Sequence, residues 1–141
     1  MTDLQKAKTA LDQGGYTCVL CRGEQVLTSS QRGVRPLAAW YAAKEDFSGF
    51  SAADKVVGKA TAFLYVLLKV SHVYARVLSR SALQVLHGNG ISVEYDTLTE
   101  HIINRQGTGV CPFEAAVLET VDPTTAYALI REKMTELGIE I

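Results

Sequence analysis

The chain has 141 residues, 48% of them hydrophobic, with a formal net charge of −1 and a pI near 6.3. That length is the size of one domain (1–141), and that apolar fraction can bury a core without disulfide or metal. The charge balance excludes a general nucleic-acid binder, which needs a basic face to neutralise phosphates, and an odd cysteine count of three fits a reducing compartment better than a disulfide framework.

The start, MTDLQKAKTALDQGG, is charged and amphipathic and lacks the apolar core of a signal peptide. The longest apolar run, Ala60 to Leu68, is broken by Thr61 and Tyr65 and is much shorter than the ~20 residues of a membrane span. A soluble, cytoplasmic chain without membrane partners is expected.

Residues 3–13 carry Leu4, Ala7 and Leu11 at helical spacing, and Gly14-Gly15 stops that helix. Tyr16 to Cys21 reads as a buried strand, Arg22-Gly23-Glu24 as a tight turn, and Gln25 to Ser29 as the partner strand. A polar loop with Arg32 and Arg35 leads to Pro36, which opens a short helix from Leu37 to Ala43. Ser51 to Val70, SAADKVVGKATAFLYVLLKV, is the most apolar helix-like stretch and reads as one central helix. Ser51 and Asp54 have the spacing of a capping box with Asp in place of Glu. Val56, Val57, Ala60, Phe63, Leu64 and Leu67 give it a wide apolar face.

His72 to Leu78 reads as a third strand, and Ser79 starts a helix closed by His87-Gly88-Asn89-Gly90. Ile91 to Tyr95 is a fourth strand, and Thr97 to Asn104 has a helical pattern. Gln106 to Val110 is a glycine-bearing loop. Cys111-Pro112 and Asp122-Pro123 each start a helix. A hairpin followed by strand–helix alternation implies an α/β, three-layer α-β-α sandwich with a mixed sheet of about four to five strands.

The central segments resemble the cytidine-deaminase-like fold, whose order is hairpin, helix, third strand, second helix. Its zinc ligands lie at the two helix starts, as H/C-x-E and P-C-x-x-C. VGKATAF (57–63) is similar to the first of these starts, and LSRSALQVL (78–86) to the second. In that register the first zinc ligand falls on Val57, the catalytic Glu on Lys59, and the two cysteines on Ser79 and Ala82. Zinc needs Cys, His or carboxylate donors, and hydrolytic deamination needs a zinc-activated water with a carboxylate proton shuttle. The residues here supply neither, so no zinc, no other cofactor and no deaminase activity are expected. RGVRPL, VVGKATA and TGVCPFEAA are similar to segments of an uncharacterised prokaryotic family of zinc-less proteins with this fold. Cys111-Pro112-Phe113-Glu114 offers a second C-x-x-C-like register, but it lies too late in the element order.

Each candidate site residue has a plainer reading beside its functional one. Lys59, beside Gly58 at a helix start, can hold a phosphate or carboxylate where the helix dipole also favours anions, or be a surface lysine paired with Asp54 or Glu114. Ser79, Arg80 and Ser81 follow a strand and open a helix, a position that suits either anion binding or simple N-capping. Cys111 at a helix start, with Glu114 one turn on, can be a nucleophilic or sulfur-carrying thiol, or a small core residue with a first-turn acid. Arg32 and Arg35 can clamp an acidic ligand or be solvated; Arg105 reads the same way. Cys18 and Cys21 point to opposite faces of a strand and read as core. His72, His87 and His101 form no metal pattern.

The expected function is binding of a small anionic or nucleotide-like ligand in a degenerate deaminase cleft, with Lys59 in place of the metal's charge. A Cys111-dependent thiol enzyme or sulfur carrier is the first alternative. A structural or oligomerisation protein, for which a symmetric homodimer is the natural form, is the second.

Overall fold

The computed structural model describes residues 1–104 and 106–141. Helix α1 (Asp3–Gly14) precedes a hairpin of β1 (Cys18–Arg22) and β2 (Gln25–Ser29). Then come α2 (Arg35–Ala42), β3 (Ser51–Val57), α3 (Lys59–Leu68), β4 (His72–Ser79), α4 (Arg80–Gly88), β5 (Ser92–Thr99), α5 (Pro112–Ala116) and α6 (Pro123–Glu136). The five strands form one mixed sheet of order β2-β1-β3-β4-β5. Strand β1 is antiparallel to both its neighbours, while β3, β4 and β5 run parallel.

Local chemistry sets most of these elements. Thr2 and Gln5 close a capping box on α1. In the hairpin Arg22 faces Gln25, so Gly23 and Glu24 form a two-residue turn, and Gly23 supplies the positive φ of 60° that such turns need. Right-handed crossovers put α3 and α4 on one face of the sheet. Helix α1 covers the other face, where Ala7 and Leu11 pack on Val19, Cys21, Ala53 and Tyr74. Cys18 and Cys21 lie on opposite faces, as their spacing on a strand requires.

The stretch 51–70 is not one helix. Its first seven residues are β3, the middle strand, held between β1 and β4. A middle strand is buried on both faces and shows no alternation, and its alanines and small polar residues gave a helix-like reading. Gly58, with φ −96° and ψ −178°, then turns the chain into α3. The Ser51–Asp54 capping box is therefore absent: both residues are buried in the strand. Thr97 to Asn104 is not helical either. Thr97, Leu98 and Thr99 extend β5 by pairing with Val77, Leu78 and Ser79.

The remainder of the central stretch behaves as a core helix should. In α3, Ala60 to Tyr65 and Leu68 are all buried. The helix touches β3, α2, α4, α5 and α6. Among the described residues no helix is long and apolar enough to cross a membrane.

Candidate functional site

Parallel strands β3 and β4 end side by side, and α3 and α4 begin there. This is the edge where open α/β sheets bind ligands. A cavity of about 380 Å³ opens on it, within the range of small-molecule sites. Its walls come from the starts of β1 and α2, the end of β3, the first turn of α3, and Ile102, Cys111, Phe113 and Glu114.

Two helices begin on this wall without a side-chain cap. Helix α3 has Gly58 at its N-cap and α2 has Val34, and neither supplies a capping hydrogen bond. The other helices of eight or more residues are capped, by Thr2, Ser79 and Asp122. A first turn has no intrahelical acceptors for its N–H groups, so α2 and α3 both present positive dipole ends to one cavity, α3 with its full set of donors and α2 with one fewer because Pro36 has no N–H. Thr61 lies in the first turn of α3, lines the cavity and is 7% exposed; its hydroxyl makes no hydrogen bond among the described residues. Arg32 and Lys55 add cationic side chains to the lining.

Two buried carboxyl groups share the same walls. Glu114 is 1% exposed; its Oε2 accepts from the Ile102 N–H at 2.7 Å and its Oε1 from the Ser81 hydroxyl at 3.1 Å. Gly58 makes room for it: a Cβ there would lie 3.3 Å from Oε2 and 3.0 Å from Ile102 Cγ1. Asp54 belongs to a buried chain. The Tyr65 hydroxyl donates to its Oδ2 at 2.6 Å and lies 3.2 Å from the Cys18 Sγ. Burial pushes the Asp54 carboxyl up to about 7, against the opposing pull of the Tyr65 bond. Burial, together with the Asp54 charge, also pushes the Tyr65 phenol and the Cys18 thiol up.

That opposition gives a direct check. Tyr65→Phe removes a donor that favours the ionised carboxyl, so the Asp54 pKa rises further above about 7. Carboxyl carbon shifts followed by NMR across pH read this; an unchanged or lowered midpoint would contradict the hydrogen-bond assignment.

The residues singled out from the sequence divide between the cavity and its surroundings. Gly58, Cys111, Glu114 and Arg32 line it. Ser81 holds Glu114 from behind, and Ser79 caps α4 by accepting from Ala82 N at 3.2 Å. Arg80 pairs with Glu100 at 2.7 Å on the exposed surface. Arg35 is exposed on α2 and does not line the cavity. Lys59 does not line it either; its Nζ donates to the Leu118 carbonyl at 2.6 Å and lies 5.9 Å from the Phe63 ring centroid. Arg105 lies outside the described residues. Cys111 opens a helix of only five residues whose first position is proline, which weakens the dipole available to its thiol. Val57 and Ala82 are fully buried apolar groups. Among the described residues no three His, Cys, Asp or Glu side chains stand together as a metal-ligand set.

Sequence reasoning missed Thr61 and Asp54 as cavity groups, and Tyr65 as the donor that holds Asp54 from behind. One signal was available. Thr61 and Tyr65 are four residues apart, so on a helix they share a face, and both interrupt an otherwise apolar run.

A family model described as TM1506, domain of unknown function (DUF1893), matches residues 6–134. The chain is also similar to the crystal structure of a DUF1893 family protein, TM1506, from Thermotoga maritima. The TM-score is 0.84 at 27% sequence identity, over 96% of this chain and 91% of that one. No curated protein matches the sequence.

Proposed function

The chain belongs to the DUF1893 family, and we propose that its cavity binds a small anionic, nucleotide-like ligand without zinc. The convergence of two uncapped helix starts on one cavity carries this reading. Backbone N–H groups and dipole ends favour a phosphate or carboxylate. The Thr61 hydroxyl, in the cavity wall, adds a neutral donor, and Arg32 and Lys55 supply positive charge. The charge once expected from Lys59 is assigned to these groups instead, because the Lys59 amine is held by Leu118.

We also keep the kinship with cytidine-deaminase-like proteins as a proposal, with its register moved. The element order hairpin, helix, strand, helix runs here through β1, β2, α2, β3 and α3. The two helix starts to compare are then those of α2 and α3, rather than those of α3 and α4. They carry Val34, Arg35 and Pro36, and Gly58, Lys59 and Ala60. None of these side chains is a zinc donor, so both registers lead away from zinc-dependent deamination.

Amide NMR titration with sulfate and with adenosine 5′-monophosphate tests the binding. Saturable shifts at Ala60, Thr61 and Leu37 are expected. Thr61→Val weakens binding about tenfold, the effect of losing one hydrogen bond to a charged group, and Lys59→Ala leaves it unchanged. Absence of saturable shifts, or equal affinities for wild type and Thr61→Val, would overturn the reading.

A further inference from the structure

The cavity that presents donors to an anion also contains a carboxyl group that would repel one. Asp54 is 9% exposed, lines the cavity, and sits on β3 four residues before Gly58. It cannot relieve the conflict by turning away. The Tyr65 hydroxyl holds Oδ2 at 2.6 Å, the Val56 N–H approaches Oδ1 at 3.4 Å, and Tyr65 is itself anchored to Cys18.

Resting on the anion-binding reading above, we propose that Asp54 is the proton-linked specificity residue of the cavity. An anion enters together with a proton on Asp54, so binding takes up one proton from solvent. Protonation has two effects at the site. It removes a negative charge from a cavity that is about to receive another, and it turns one carboxyl oxygen from an acceptor into a donor.

The surroundings leave Asp54 as the group suited to this role. Cys18 faces it from β1 and Tyr65 from α3. Lys55 lies next to it on its own strand, Arg32 comes from the loop before α2, and Cys111 and Glu114 come from the segment leading into α5. Burial drives the thiol of Cys18 and the phenol of Tyr65 upward, which keeps both neutral near pH 7. Asp54, pushed up to about 7, changes charge there. Glu114 already accepts from two donors, the Ile102 N–H and the Ser81 hydroxyl.

Sulfate is the probe, because it does not itself titrate between pH 5.5 and 8.5, a window of about three units chosen to bracket Asp54. At constant ionic strength, wild-type affinity is expected to fall about thirtyfold from the acid to the alkaline end, as one-proton linkage to a group titrating at about 7 requires. Asp54→Asn is expected to bind with a flat pH profile. As a second reading that needs no variant, the Asp54 carboxyl midpoint followed by carbon NMR is expected to move upward on saturation with sulfate. Binding that persists with a flat wild-type profile and an unmoved Asp54 midpoint would overturn the proton linkage and leave the anion site standing. Absence of sulfate binding at every pH would overturn both.

Discussion

Glu114→Ala lowers the unfolding free energy by about 3 kcal/mol, while Glu114→Gln costs less than about 1 kcal/mol. The carboxylate is 1% exposed and accepts from the Ile102 backbone and the Ser81 hydroxyl. Alanine leaves the half-buried Ile102 N–H without its acceptor, sends the Ser81 hydroxyl back to Ser79 as its remaining partner, and opens a void between α3 and α5. A stranded donor costs roughly 1–3 kcal/mol. Glutamine keeps an oxygen for the Ile102 N–H and turns its amide toward Ser81, whose hydroxyl can accept. Urea unfolding of the three proteins measures the difference; equal midpoints for Ala and Gln would show that the carboxylate holds nothing in place.

A double-mutant cycle locates the effect. Gly58→Ala puts a Cβ 3.0 Å from Ile102 Cγ1 and 3.3 Å from Glu114 Oε2, a clash of the kind that costs about 1–3 kcal/mol. With the acid already removed, that clash is partly relieved, so the two changes are less than additive. Gly58 is therefore required for space. Its φ of −96° is open to any residue.

The legible parts of the fold are those governed by local rules. The hairpin turn at Gly23, the caps at Ser79 and Asp122, and the prolines that open α2, α5 and α6 all follow from residue chemistry that needs no tertiary context. Strand β3 was illegible for the opposite reason. Its conformation is decided by β1 and β4 on either side, and the sequence SAADKVV carries neither a helical nor a two-residue period that would announce this. The error propagated into the site. With β3 read as a helix, Asp54 became a capping residue and Lys59 the cation of a cleft. In the strand, Asp54 turns to the Tyr65 hydroxyl. Lys59, as the first residue of α3, reaches the Leu118 carbonyl instead. Glu114 and Gly58 were picked out separately, but their contact depends on α5 packing against the start of α3, which no short-range pattern encodes.

Asp54 makes stability depend on pH in the direction opposite to an ordinary salt-bridged carboxylate. Its pKa is 3.8 in an unpaired state and about 7 in the fold. Below 3.8 both the folded and the unfolded carboxyl are protonated, and the group contributes no difference. Between 3.8 and about 7 the unfolded chain has released the proton and the folded chain has kept it. Stability therefore falls as pH rises through that window, by about 1.4 kcal/mol per pH unit. Above it the full penalty of a buried charge remains, on the order of 4 kcal/mol. Asp54→Asn removes the titration, and its amide oxygen still accepts from Tyr65. Relative to wild type, the variant is expected to gain about 3–4 kcal/mol between pH 4 and pH 8. Urea unfolding at both pH values measures this, and parallel pH profiles for the two proteins would rule it out. A carboxyl that costs the fold stability at neutral pH, in the wall of a cavity lined by N–H donors, is understandable if its proton is used at the site. Stability and sulfate affinity should then lose their pH dependence together in Asp54→Asn, because one proton on one side chain underlies both.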